Sequence, residues 1–152
     1  MRRFLLILLL LGGTALGADP LGEPGRIVKT LPLFLDSQGR DAVSPSLFDR
    51  DAYQAYLRDH PKEVSALRFD SLWQVKPVAG SWKLRGELRA IGEDGKPQEQ
   101  TLTTEIHPPY FRHWDSLTLG GTNYQTFGRV VAWRTTLWHN NRQISEQKSF
   151  LW

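Results

Sequence analysis

Two histidines and one aspartate are the side chains of this sequence best suited to hold a metal ion. His107 and His113 are six residues apart, and Asp115 follows His113 by two. Imidazole and carboxylate groups bind zinc and iron, so a loop that folds back would bring three donors together. No helical or hairpin spacing fixes these residues relative to one another. We therefore expect no metal and no other cofactor, and keep the three as weak metal candidates.

The residue patterns of common hydrolases are missing from the sequence. No serine lies in a Gly-x-Ser-x-Gly elbow, and Gly120-Gly121 lacks the lysine of a phosphate-binding loop. A pair of carboxylates could hydrolyse glycosides, but most of the candidates have ordinary roles in turns and helix caps. These candidates are Asp36, Asp41, Asp49, Asp51 and Glu87. We expect a protein that is not an enzyme.

Aromatic side chains are the more promising feature. All six tryptophans lie between residues 73 and 152. Alternation along the strands predicts that Trp73, Trp82 and Trp133 fill a core. Trp138 has the opposite parity from Trp133, so it is either covered by a helix, which we favour, or exposed. Trp114 lies in a predicted loop, and exposed indoles beside arginine suit protein interfaces or sugar stacking. The candidate binding residues are therefore Trp114, Trp138, Arg134 and Tyr110.

Length and composition limit what surrounds these residues. The chain has 152 residues, 40% of them hydrophobic, which predicts one domain with a packed core. It has no cysteine, which excludes disulfides, a thiol nucleophile, Cys-ligated zinc and iron–sulfur clusters.

The first 17 residues have the pattern of a secretory signal peptide. Arg2 and Arg3 precede an apolar run, and Ala15-Leu16-Gly17 fits a cleavage site. The run is too short for a retained transmembrane helix. Cleavage would leave 17 basic against 16 acidic residues, which gives no support for nucleic-acid binding. We expect a periplasmic or extracellular protein with a flexible leader over residues 18–26.

The remaining chain, residues 27–152, alternates between apolar and polar residues as β-strands do, and it contains one convincing helix. Leu47, Phe48, Ala52, Tyr53, Tyr56 and Leu57 recur at helical spacing, so we predict a helix near residues 46–59 that buries them. Turns are predicted at Glu93-Asp94-Gly95-Lys96 and at Asn140-Asn141. The second turn sets Leu137 opposite Ile144, and the final strand is a possible sheet edge.

These elements predict a mainly all-β fold, an immunoglobulin-like antiparallel sandwich of about seven strands with one short N-terminal helix. A small outer-membrane β-barrel is the alternative architecture, since its strands also alternate between apolar and polar residues. Two observations favour the sandwich. The helix has no place in a small barrel, and Glu146 and Lys148 lie on the same side of the strand as Ile144, which would put charges into the apolar band of a barrel.

Two segments carry a resemblance to a known group of proteins. Residues 132–138 with residues 146–152 resemble the final hairpin of secreted immunoglobulin-like domains of uncharacterised bacterial proteins. Residues 33–56 are similar to such proteins as well. The resemblance implies a β-sandwich fold and no activity.

The sequence therefore favours a non-enzymatic extracytoplasmic module that binds another protein or assembles with itself. A carbohydrate-binding module that uses exposed tryptophans is the alternative function.

Overall fold

Seven strands and two α-helices are present in the computed structural model, which describes residues 22–107 and 112–152. The strands are β1 (Gly25–Asp36), β2 (Val64–Val75), β3 (Trp82–Ile91), β4 (Pro97–Ile106), β5 (His113–Gly120), β6 (Arg129–His139) and β7 (Arg142–Lys148). The α-helices are α1 (Leu47–Asp59) and α2 (Gly121–Phe127), and a 3-10 turn (Pro61–Glu63) follows α1. The predicted signal peptide, residues 18–21 of the predicted leader, and Tyr110 lie outside the described residues.

The strands form two antiparallel sheets, which confirms a mainly β chain. The first sheet has the order β1-β2-β5, and the second has the order β4-β3-β6-β7. Both predicted turns join neighbouring strands: Gly95 has a φ of 76° between β3 and β4, and Asn140 has a φ of 51° between β6 and β7. These are the left-handed conformations that glycine and asparagine tolerate best.

The prediction of a single helix is wrong, because α2 is a second one. Its sequence, GTNYQTF, contains few strong helix formers, so local propensity gave no signal. The helix is stabilised by packing instead: Phe127 is buried in the core and Tyr124 packs against it.

The core between the sheets is built by alternation along β2 and β3. The side chains of Trp73, Trp82 and Leu84 are almost completely buried. Trp133 is half-buried and packs on Phe69, with ring centroids 5.7 Å apart. The core positions predicted for Trp73 and Trp82 are confirmed, and Trp133 lies at the margin of the core.

Side chains join the two sheets along the edges of β1 and β7. The backbone N–H of Ile27 donates to Ser145 Oγ at 3.1 Å, and that of Thr30 donates to Gln147 Oε1 at 3.0 Å. Between the two sheets, next to these bonds, the hydroxyl of Thr30 lies 3.0 Å from Ser71 Oγ and 2.8 Å from Thr135 Oγ1. Since β7 is an edge strand whose side chains already bind β1, this edge is covered.

Helix α1 lies on the outer face of the first sheet. Ser46 caps it by accepting a hydrogen bond from the backbone N–H of Asp49. Leu57 is completely buried, and Gln54 bonds both backbone groups of Phe34 in β1. The predicted buried face is therefore wrong except for Leu57 and half-buried Tyr53: four of its six residues face solvent, namely Leu47, Phe48, Ala52 and Tyr56.

Candidate functional site

Trp114 is an exposed aromatic side chain on an edge strand. It lies in β5, not in the predicted loop, and pairs with Leu72 of β2. Leu117 and Leu119 point into the core, so Trp114, three and five residues away, points outward. Its exposed fraction is 44%. An indole that is nearly half exposed on a rigid strand is an available contact surface.

Charged side chains linked to one another lie beside Trp114 on the same face. Ser116 Oγ donates to Asp70 Oδ1 at 2.6 Å. Arg68 donates to both carboxylate oxygens of Asp70, at 2.8 and 3.0 Å, and lies 3.4 Å from Asp41. Because these charges are fixed by their partners, they form an ordered polar border next to the indole.

Trp138 lies on the outer face of the second sheet and is half-buried. Its indole N–H donates to Thr136 Oγ1 at 2.8 Å. Helix α1 packs on β1 in the other sheet, so the expected cover of Trp138 by the helix is wrong. Trp138 and Trp114 lie on opposite outer faces, and the structure does not bring them into one site.

Arg134 is engaged in contacts within the protein. Its guanidinium donates to Glu87 at 2.8 and 2.6 Å and lies 4.8 Å from the centre of the Trp152 ring. Arg89 lies over the same ring at 4.0 Å. No local sequence pattern predicts this role of Trp152, because it depends on a contact between distant parts of the chain.

The metal candidates occupy separate roles. Asp115 Oδ2 accepts a hydrogen bond from the indole N–H of Trp73 at 2.8 Å, and the ring of His113 meets Trp73 edge-on at 5.8 Å. Within residues 22–107 and 112–152, no three histidine, aspartate or glutamate side chains are arranged to hold a metal ion. Asp115 and His113 thus pack around a core tryptophan, and His107 is not grouped with them.

Asp36 is the carboxylate with the most strongly altered environment. The backbone N–H of Arg40 holds the pKa of Asp36 well below its usual range, and the Tyr53 hydroxyl adds a hydrogen bond of 2.8 Å. The same bond raises the pKa of Tyr53. Asp36 connects the turn after β1 to helix α1 through these hydrogen bonds, so its lowered pKa reflects a structural role.

Comparison with known proteins identified no relative of this chain. The chain matches no protein-family model, no curated protein and no solved structure. In the part of the chain that the structure describes, no helix is long and apolar enough to cross a membrane.

Proposed function

We propose that this protein is an exported, non-enzymatic immunoglobulin-like module that binds another extracytoplasmic protein through the face of β5 that carries Trp114. The observation that carries the proposal is the 44% exposure of that indole on an edge strand. Tryptophan is among the residues that contribute most to protein interfaces, where it is ringed by polar side chains.

The strand order supports the immunoglobulin-like part of the proposal. In such sandwiches, strands A, B and E lie in one sheet and strands C, F and G in the other. Here β1, β2 and β5 take the first set of positions, and β3, β6 and β7 take the second. The fourth strand, β4, pairs with β3 instead of lying beside β5.

Export is supported by the sequence pattern of residues 1–17, which has a basic start, an apolar run and small residues at the cleavage site. Fractionation of cells, with a carbonate wash of the membranes, tests this part. Recovery in the soluble extracytoplasmic fraction agrees with export, and recovery in the cytoplasmic fraction contradicts it.

The linked charges beside Trp114 favour a protein partner over a sugar. Arg68 forms ion pairs with Asp70 and with Asp41. Charges of both signs therefore lie beside the indole, as they do at the polar rim of a protein interface. A sugar-stacking platform needs only the exposed indole face and nearby hydroxyl or amide groups. Carbohydrate binding remains the alternative, and polysaccharides that quench tryptophan fluorescence in a Trp114-dependent way would favour it.

The decisive experiment compares two variants of the same strand and face. Chemical cross-linking in extracytoplasmic extract, followed by affinity capture, identifies the proteins held by the native chain. Trp114→Ala should lose a specific partner, whereas Thr118→Ala, an exposed residue four positions further along β5, should retain it. Both variants should unfold at nearly the native urea concentration. Equal capture by all three proteins would contradict the proposal.

A further inference from the structure

Three of the four sheet edges in the described chain are protected against pairing with another chain. The side chains of Ser145 and Gln147 join the edges of β1 and β7. The edge strand β5 carries the inward-facing carboxylate of Asp115, which bonds Trp73. Strand β4 is different: its pairing with β3 has no bulge, its proline is its first residue, and it contains no lysine or arginine. A long and regular edge of this kind is a template for a further strand.

The turn between β3 and β4 shows which backbone groups of β4 point outward. The N–H of Gly92 donates to the carbonyl of Lys96 at 2.8 Å, so this pair bonds across the ladder. Because bonding alternates along an antiparallel ladder, the even-numbered residues of β4 bond β3 and the odd-numbered ones point away from it. Pro97, which has no N–H, lies at an odd position as this pattern requires.

The outward-pointing groups form a row of donors and acceptors along β4. In the described chain β4 pairs with β3 alone, so this row has no strand partner. The side chains of the same residues are exposed as well. An extended backbone is the one partner that satisfies such a row in order. The row consists of Glu99, Thr101, Thr103 and Glu105.

We propose that β4 pairs antiparallel with β4 of a second copy, so that two four-stranded sheets join into one continuous sheet. In a two-fold pair the odd-numbered residues of both copies face each other, so each outward N–H meets a carbonyl. The outer faces of both sheets then lie on the same side. A second copy is the favoured occupant because its β4 is already extended and unpaired, whereas a flexible segment would first have to become ordered.

Charge selects one register for this pair. Two two-fold registers align nearly the whole strand: Thr101 lies opposite Thr101 of the second copy, or Leu102 lies opposite Leu102. The Leu102 register sets Glu99 of each copy directly opposite Glu105 of the other, and like charges in that position are destabilising. The Thr101 register sets Glu99 opposite Thr103 instead. It therefore pairs the strands without a repulsive contact.

The basic residues of β3 also favour the Thr101 register. Glu99 pairs with Arg89 of its own copy at 3.2 Å. Thr103, which faces Glu99 of the second copy, is the β4 partner of Arg85. Each Glu99 therefore lies in one cross-strand row between Arg89 of its own copy and Arg85 of the other. The central residues 99–103 of the two strands exchange about six backbone hydrogen bonds in this arrangement.

Two lysine substitutions on the same face of β4 test the dimer and its register. Sedimentation velocity from about 1 to 500 µM should show the native protein shifting from monomer to dimer. Thr101→Lys should weaken association at least about tenfold, because two ammonium groups then face each other at the two-fold axis. Thr103→Lys should weaken it far less, because it places its ammonium group opposite Glu99. A native protein that is monomeric throughout overturns the proposal, as do equal effects of the two substitutions.

Cysteine cross-linking measures the register directly. The native chain has no cysteine, so Thr101→Cys and Thr103→Cys each introduce one thiol. In the proposed dimer the two Cα atoms at position 101 lie about 5.5 Å apart, and those at position 103 lie roughly 14 Å apart. A short bifunctional thiol reagent should therefore cross-link Thr101→Cys and leave Thr103→Cys largely monomeric. Equal yields, or a higher yield for Thr103→Cys, overturn the register.

The dimer uses a different sheet from the proposed partner-binding face. Both lysine variants should unfold at nearly the native urea concentration, because both side chains are exposed and neither position bonds β3. Trp114→Ala should leave the sedimentation of the protein unchanged. The dimer and the binding of a partner at Trp114 can therefore fail separately.

Discussion

Asp115 accepts a hydrogen bond from the indole N–H of Trp73 across two neighbouring strands, at 2.8 Å. Trp73 is completely buried, and Asp115 provides the acceptor that its indole N–H needs there. This hydrogen bond allows a tryptophan to fill the end of the core. The inward-facing carboxylate also lies on an edge strand, where a charge discourages pairing with other chains. A residue that looked like a metal ligand thus supports the core.

We predict that Asp115→Ala destabilises the protein by about 1–3 kcal/mol, because it leaves a buried indole N–H without an acceptor. Asp115→Asn keeps an acceptor in place and should cost clearly less. Urea unfolding at neutral pH, followed by tryptophan fluorescence, measures both. Equal losses in the two variants would mean that the carboxylate acts through its charge and not through this bond.

Gln54 connects α1 to the first sheet by three hydrogen bonds. Its side-chain amide donates to the carbonyls of Phe34 and Asp41, both at 2.9 Å, and accepts from the N–H of Phe34 at 2.8 Å. Gln54→Ala should cost about 2–4 kcal/mol, since buried backbone groups lose their partners. Gln125→Ala, on the exposed side of α2, should change the unfolding midpoint little. Similar midpoints for both variants would contradict this role.

The same residue explains why the orientation of α1 could not be predicted. Helical spacing placed Leu47, Phe48 and Tyr56 on the buried face, as it would in a helix oriented by apolar contacts alone. Gln54 can satisfy both backbone groups of one β1 residue, and that requirement orients the helix. Which backbone groups would need a partner depends on the packing of β1, which no local pattern encodes.

Alternation predicted the strands of the second sheet best, because that sheet has one buried face, whereas α1 also covers part of the outer face of the first sheet. Trp82 of β3 is buried as predicted, and Leu84 and Leu88, which share its face of the strand, are buried with it. Register was less predictable: an irregularity after Leu137 places that residue opposite Ser145 and not Ile144. In the candidate site, the aromatic pattern selected Trp114 as a binding residue but predicted a loop where the structure has a strand, and the contacts of Arg134 with Glu87 and Trp152 join segments far apart in sequence.

Gly128, at the end of α2, should be the glycine least tolerant of substitution. Its φ is 87°, and a Cβ there would overlap the carbonyl oxygen of Ile91. Gly95 has a similar φ of 76°, but a Cβ there would meet no atom within 4 Å. Gly95→Ala should therefore cost about 1 kcal/mol from the backbone alone, and Gly128→Ala about 3 kcal/mol or more. Thermal unfolding of both variants measures the difference, and equal melting temperatures would refute the close contact.

The network of Asp36 should make stability depend on pH in the acid range. Because its pKa is lowered in the folded protein, chiefly by the backbone N–H of Arg40, protonation favours the unfolded state. The stabilisation is complete above the unfolded pKa of about 4 and is lost as the pH falls further towards the folded pKa. Asp36→Asn keeps acceptors for the turn but removes the charge that faces Arg40.

At pH 7 we expect Asp36→Asn to lower the melting temperature by a few degrees, because a buried carboxylate loses its charged contact with the half-exposed Arg40 guanidinium. At pH 3 the gap between variant and native protein should shrink, since the native carboxylate begins to lose its advantage there. Asp94→Asn is the matched control: the backbone N–H of Lys96 lowers the pKa of Asp94 too, but its side chain is 54% exposed. Solvent screening should make that effect small. A gap for Asp36→Asn that stays constant from pH 7 to pH 3 would show that its charge does not stabilise the fold.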